Sequence, residues 1–292
     1  MYLVLKLSFH YKLKDKDCIE LTKYDGADLQ STGSEAQGIR VCVLDLETTG
    51  LNKQEDKIIE IALKVIDIDS SSFERVNTID EYSSFQDPGI VIEDEITRVT
   101  GITQDMVIDQ EIDWIKVKEI LRNSDIVVAH NAEFDRSFMD RYEPLSRTML
   151  WACSVYDINW EARGFSNAKQ ELLCIWHGFF YDSHRAMSDV NALINLLTHS
   201  YYESNPPIKE LLANSKQPVY KILATGSDFE KKDTLKSRRY RWDNKKRVWW
   251  KKVLPESIEH EKEWLTNNVY GGYYRGNTIE IHPMDKYKLE QS

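Results

Sequence analysis

The chain has 292 residues, 41% of them apolar and 11% aromatic. That leaves room for one large domain, or a medium one and a small one, and it supplies a sizeable core, which excludes disorder along the whole chain. Lys and Arg number 38 against 48 Asp and Glu, a net charge of −10, so the chain as a whole is not a basic nucleic-acid-coating protein.

Four cysteines, Cys18, Cys42, Cys153 and Cys174, form no C-x-x-C pair, which argues against a disulfide scaffold or a zinc knuckle. Cys42 lies in an apolar run and reads as a small buried hydrophobe. No apolar stretch is long enough to cross a bilayer. Met1–Tyr11 lacks the basic start and small-residue cleavage site of a signal peptide. A soluble, cytoplasmic protein without a membrane partner is expected.

In chain order, residues 1–39 read as an extension and linker. Met1–Leu21 suggests a strand or two, and Tyr24–Gly38 is polar and glycine-dotted. The main domain is expected over 40–202. Val41-Cys42-Val43-Leu44 is an unbroken apolar run, the mark of a strand buried on both faces. Lys57–Ile68 and Phe73–Phe85 read as further strands, giving a mixed sheet an antiparallel start. Asp113–Arg122 is helical by pattern, Asp125–Ala129 is a second buried strand, and Asn131–Tyr142 is a helix with Asn131 as its N-cap. Asn167–His177 and Arg185–Tyr202 complete the helices. Met187, Val190, Ile194 and Leu197 recur at helical spacing as a core stripe.

The pattern breaks at Ser204-Asn205-Pro206-Pro207, so 203–217 is expected as a linker, with a short helix over Ile208–Ala213. A small domain follows over 218–292. Pro218–Lys252 holds twelve Lys and Arg against four Asp and Glu, a local +8 that leaves −18 for the remainder.

Three constellations carry chemistry. In Asp45-Leu46-Glu47-Thr48-Thr49-Gly50-Leu51, residues two apart on a strand point to one face, so Asp45 and Glu47 aim together at the end of a buried strand. Paired carboxylates repel unless a cation lies between them, and hard oxygens suit Mg²⁺ or Mn²⁺. The alternative is a strand end whose acids reach solvent. In His130-Asn131-Ala132-Glu133-Phe134-Asp135, a buried strand turns into a helix, and Asp135 lies in the first helical turn, where the dipole favours an acid. In His184-Arg185-Ala186-Met187-Ser188-Asp189, a histidine precedes the last helix and Asp189 follows one turn later. Glu60, alone in an apolar strand, faces either the site or an outer edge.

At these three motifs the chain resembles the DEDD exonucleases of the histidine variety. That family has the ribonuclease-H-like fold and includes the proofreading (epsilon) subunit of bacterial replicative DNA polymerase. The matching patterns are D-x-E-T-T-G at Asp45–Gly50, H-N-x-x-F-D at His130–Asp135 and H-x-x-x-x-D at His184–Asp189. Ile90–Val107 also looks like the family's segment before the second motif. The resemblance covers about 40–202. It implies an α/β fold, a ribonuclease-H-like mixed sheet flanked by helices, with the small basic α+β domain appended. It also implies two metal ions, Mg²⁺ or Mn²⁺. Asp45 would bridge them, Glu47 and Asp189 would complete the first site, Asp135 would hold the second, and His184 would be the general base. Histidine suits that role because its reference pKa lies near operating pH. Thr48, Thr49 and Gly50 would approach the terminal nucleotide through the backbone and Leu51 would wedge against the last base. His130, Asn131 and Phe134 would line the pocket, although Phe134 also suits ordinary core packing.

The implied function is a metal-dependent 3′→5′ exonuclease on single-stranded or frayed ends, with DNA favoured. The rivals are an exoribonuclease and a non-catalytic nucleic-acid-binding or polymerase-partner module. The presence of all four acids and His184 weighs against the second rival. No clamp- or polymerase-binding peptide stands out, so a repair or turnover nuclease and a proofreading subunit fit alike, and oligomeric state is not encoded legibly. In the tail, Asp228–Arg238 reads as a helix. Tyr240–Trp242 and Arg247–Val253 read as a hairpin about Asp243-Asn244 with Trp242 facing Trp249 or Trp250, and Glu256–Val269 as a last helix. Cations interleaved with aromatics suggest nucleic-acid binding, against the alternative that the tryptophans only build a small core.

Overall fold

The computed structural model describes residues 21–29 and 38–289. They fall into two compact units, Met1–Ser215 with Tyr287–Ser292, and Lys216–Lys286. The expected strands within Met1–Leu21, and Cys18, lie outside the described residues.

The first unit contains, in order, β1 (Thr22–Lys23), β2 (Ile39–Thr48), β3 (Ile58–Ile68), β4 (Arg75–Phe85), α1 (Asp94–Thr100), α2 (Gln104–Val107), α3 (Trp114–Arg122), β5 (Ile126–Ala129), α4 (Ala132–Tyr142), β6 (Trp151–Cys153), α5 (Gln170–Trp176), β7 (Phe179–Phe180), α6 (Ala186–Leu197) and α7 (Pro207–Ser215). Its main sheet has the order β4-β3-β2-β5-β6. β2 pairs antiparallel with β3 and parallel with β5, and β5 pairs parallel with β6. This is the mixed sheet with an antiparallel start that the strand pattern predicts.

Both faces of the sheet are covered, which explains the unbroken apolar runs. Val41 and Val43 point to one side, into a core with Val190, Leu193, Ile194 and Leu197 of α6. Cys42, Leu44 and Leu46 point to the other, into a core with Ile120 and Leu121 of α3 and Phe138 and Met139 of α4. Cys42, Cys153 and Cys174 are buried free thiols. Among the described residues, no helix is long and apolar enough to cross a membrane.

Three boundaries differ from expectation. The stretch 203–217 is not simply a linker, because α7 buries Ile208, Leu211 and Leu212 in the same core as α6. The described part of 24–38 is also docked: Leu29 is buried, and the Tyr24 ring meets Phe179 edge-on at 5.6 Å. Sparse apolar residues within a polar stretch suffice to anchor it. Finally, Tyr287 belongs to the first unit, where it is buried against the core of α3 and α4, so the second unit stops short of 292.

The second unit contains β8 (Val219–Leu223), α8 (Lys232–Ser237), β9 (Arg241–Asp243), β10 (Val248–Val253), α9 (Ile258–Leu265) and β11 (Asn277–Ile281). Its sheet is antiparallel with the order β11-β8-β10-β9. The expected hairpin is present, with Trp242 opposite Trp249. β8 and β11 have no counterpart in the pattern-based reading. Each is only five residues long, β11 has just two apolar positions, and each strand acquires its partner from far along the chain.

Candidate active site

Strand parity builds the centre of the site. Asp45 and Glu47 continue the row of Val41 and Val43, so they face α6, and Asp189 in the first turn of α6 faces back. Carboxylate oxygens of Asp45, Glu47 and Asp189 lie within 4.8 Å of one another. Octahedral ligands at about 2.0–2.1 Å from Mg²⁺ lie up to about 4.2 Å apart, so this all-oxygen set closes on one hard divalent cation with small side-chain adjustments. Asp135 is outside that trio, but its charge acts on both Asp45 and Glu47.

Burial, and then mutual repulsion, push these carboxyls upward. Glu47 is pushed up to about 8 by burial, then by Asp189, Glu60 and Asp135. Asp135 is pushed up to about 8 by burial, against bonds from its own N–H and that of Leu46. Asp45 is raised well above the usual carboxylate range by burial, then Asp189 and Asp135. Asp189 is raised by burial and partly restrained by its hydrogen bonds. Such a cluster stores repulsion that a bound cation relieves.

The partners of Asp189 hold its geometry. Tyr181 donates its hydroxyl to Oδ1 at 2.8 Å, and Gln170 Nε2 donates to the Asp189 carbonyl at 2.9 Å. The Arg185 N–H reaches Oδ2 at 3.2 Å. Burial and the Asp189 charge push the Tyr181 hydroxyl far up, so it remains a donor. His184 is exposed at the start of α6, in the left-handed region with φ of 62°. Glu60 faces the site, not an outer edge. It stands opposite Glu47 in the β2–β3 ladder and is 5% exposed. It accepts from Arg185 Nη2 at 3.0 Å, from Arg185 Nε at 3.3 Å and from the Ala186 N–H at 3.1 Å.

The turn after β2 is fixed by Asp56. Thr49 Oγ1 donates to Asp56 at 3.2 Å, and the Asn52 N–H donates to it at 2.7 Å. A Cβ on Gly50 would lie 2.4 Å from Asp56 Oδ2, so any larger residue would displace the carboxylate that fixes the turn. Thr48 Oγ1 donates to the Gly50 carbonyl at 2.7 Å. Both threonine hydroxyls therefore serve the turn, and Leu51 at its tip is 83% exposed. Arg141 of α4 donates to the carbonyls of Lys53 and Asp56, and Lys53 pairs with Glu133 at 3.1 Å. The turn thus lies against α4, which carries Asp135.

His130 Nδ1 lies 2.7 Å from Ser154 Oγ, and burial pushes this imidazole down to about 4, so it is neutral. Asn131 occupies the N-cap position of α4 but makes no side-chain cap bond. Its backbone is left-handed, with φ of 70°, unlike the extended conformation of a capping residue, and its side chain is exposed. Phe134 is half-buried, with its ring 5.0 Å from that of Phe138. Tyr181, Gln170, Arg185, Asp56 and Arg141 were not singled out in the sequence for the site. Only Arg185 lies inside a motif. The others reach the site through folding.

The sequence model of the exonuclease family (RNase_T) matches residues 42–197. The chain belongs to the exonuclease family. All three acidic motifs of this exonuclease lie within the matched region. The chain is 34% identical over 173 residues to the PolC-type DNA polymerase III of Clostridium perfringens, covering 54% of this chain and 11% of that one. It is 33% identical over 138 residues to the PolC-type enzyme of Thermotoga petrophila, covering 45% and 9%. The exonuclease therefore spans about a tenth of the length of these curated relatives. The zinc-bound structure of E. coli ExoI with single-stranded DNA superposes with a TM-score of 0.52 at 13% identity, covering 85% of this chain and 64% of that one. The fold of this exonuclease is accordingly the ribonuclease-H-like one expected.

Proposed function

We propose that the chain is a metal-dependent 3′→5′ exonuclease that releases nucleoside 5′-monophosphates from single-stranded or frayed DNA ends. The observation that carries this reading is the convergence of Asp45, Glu47 and Asp189 from two elements onto one volume, with His184 close enough to act on the Asp189 carboxyl. Asp45, Glu47 and Asp189 would hold one Mg²⁺ or Mn²⁺ ion, and Asp45 and Asp135 would hold a second. Bound divalent cations supply Lewis-acid activation of water and neutralise charge on the leaving 3′ oxygen. His184 takes the proton of the attacking water, and its exposure leaves the ring open to solvent and substrate. Tyr181 and the Arg185 N–H keep the Asp189 carboxylate from rotating out of the cluster, and Gln170 holds its backbone carbonyl.

The rigid turn at Thr48–Leu51 carries the strand end. Gly50 allows backbone approach, and the exposed Leu51 wedges under the last base. Asn131 and Phe134 line the pocket of the terminal nucleotide, and His130 buttresses it as a neutral ring. DNA is favoured over RNA because the curated relatives are DNA polymerases by name.

The test uses 5′-labelled single-stranded DNA and RNA of matched sequence, with free or phosphate-blocked 3′ ends, in Mg²⁺ or Mn²⁺. A ladder shortening from free 3′ ends, faster on DNA and abolished in Asp45→Asn, is expected. Intact strands with the wild-type chain, or a ladder unaffected by Asp45→Asn, would overturn the proposal.

A further inference from the structure

The tryptophans of the second unit have different fates. Trp249 and Trp264 pack against its core of Ile222, Leu235, Leu265 and Val269. Trp250 lies on the other face of β10, with Lys221 Nζ 4.3 Å from its ring centroid and the Arg241 guanidinium at 5.7 Å. Trp242 is the exposed one of these four, at 43%, with its ring 5.4 Å from that of Trp249. Packing thus fixes one face of the Trp242 indole and leaves aromatic surface open to solvent.

The cations divide in the same way. Buried Glu261 takes Lys251 at 2.9 Å and Arg238 at 3.3 Å, so those two hold the fold. Arg241, Lys245, Lys246 and Arg247 are exposed, and all four lie on β9 or in the loop to β10. Asp243 is the one acid between Arg241 and Lys252, and it accepts from the backbone N–H groups of Lys245 and Lys246 at 3.0 and 2.9 Å. It shapes the loop that carries the cations.

We propose that this β9–β10 hairpin is a binding surface for single-stranded nucleic acid. A base stacks on Trp242, while Arg241, Lys245, Lys246 and Arg247 meet the neighbouring phosphates. One open indole beside a cluster of exposed cations matches a base beside its flanking phosphates, whereas an acidic protein surface would engage the cations alone. The unit is tethered to an acidic exonuclease unit, so it raises the local concentration of strand for a site that a polyanion would otherwise avoid. The binding itself needs neither metal nor hydrolysis, so it stands or falls separately from the catalytic reading.

The full chain is titrated in EDTA, so that no strand is cut, with a fluorescent oligodeoxythymidylate across a salt series. Trp242→Ala is expected to bind about tenfold more weakly, and Trp242→Phe to recover most of that loss. Replacing Lys245, Lys246 and Arg247 together by Ala should make the plot of log affinity against log salt shallower by about 2, from about 0.7 per phosphate contact. Unchanged thermal midpoints certify the fold of each variant. Wild-type affinity in the triple variant would overturn the surface, and wild-type affinity in Trp242→Ala would overturn stacking. Equal binding to phosphatidylserine vesicles would overturn nucleic acid as the occupant.

Discussion

Glu60 stands directly across from Glu47 on the face of the sheet that already holds Asp45 and meets Asp189. Like charges directly opposed destabilise a ladder. Arg185 relieves this by binding Glu60 through two nitrogens and lying over the Phe85 ring at 5.3 Å. The same carboxylate accepts the Ala186 N–H, so Glu60 fixes the start of α6 and with it the backbone of His184. Glu60→Gln is expected to lower turnover on a labelled 3′ end about tenfold, through misplacement of His184, with Mn²⁺ affinity changed less than about threefold. Parallel calorimetry and kinetics would check this, and a proportional loss of Mn²⁺ binding would contradict it.

The raised carboxyls also set the response to pH. Glu47 and Asp135 are pushed up to about 8, so between about pH 4 and 8 the folded chain holds protons that the unfolded chain has lost. Stability in EDTA should therefore fall as pH rises through that window, and a divalent cation should flatten the decline. Cation affinity should rise over the same range, with protons released on binding, measurable by calorimetry in buffers of different ionisation enthalpy. Asp45→Asn should abolish hydrolysis yet raise the thermal midpoint in EDTA by a few degrees, because it removes a carboxyl whose ionised form burial and the neighbouring acids disfavour in the folded chain.

At the scale of elements, the positions of the site residues follow from two periodicities. Period two sends Asp45 and Glu47 toward α6, and period 3.6 sends Met187, Val190, Ile194 and Leu197 toward the core that β2 also enters. Both were legible in the sequence. The turn after β2 was legible only as a motif. Its rigidity comes from Asp56 and Arg141, which sit 7 residues from Thr49 and 85 from Asp56 respectively. Gly50→Ala should push Asp56 out of its place and weaken binding of a 3′ end about tenfold, with Mn²⁺ binding intact. An unchanged KM would show that the turn does not carry the strand. At α4, Asn131 occupies the predicted cap position without the predicted cap bond, because its backbone turns left-handed. Asp113 at α3 does cap, accepting from Ile115 and Lys116. Residue type alone does not separate these two cases.

For the molecule as a whole, charge is partitioned between the units, with the basic hairpin in one and the carboxylate cluster in the other. Hydrolysis of long strands should fall steeply as salt rises, whereas hydrolysis of a small nucleotide ester should hardly respond. Matching salt slopes for the two substrates would argue that the basic unit takes no part.

The sequence by itself determined the exonuclease motifs, the strand that presents Asp45 and Glu47, the helix that presents Asp189 and the charge contrast between the halves. These are local patterns, written in residue type and period. Only the tertiary structure decided that Glu60 faces Glu47 and not an outer edge, that Tyr181 and Gln170 hold Asp189, and that α7 belongs to the core. It also decided which of four tryptophans is left open to solvent. Each of those depends on contacts between distant segments, and a carboxylate, a hydroxyl or an indole carries no mark in sequence of the partner that folding brings to it.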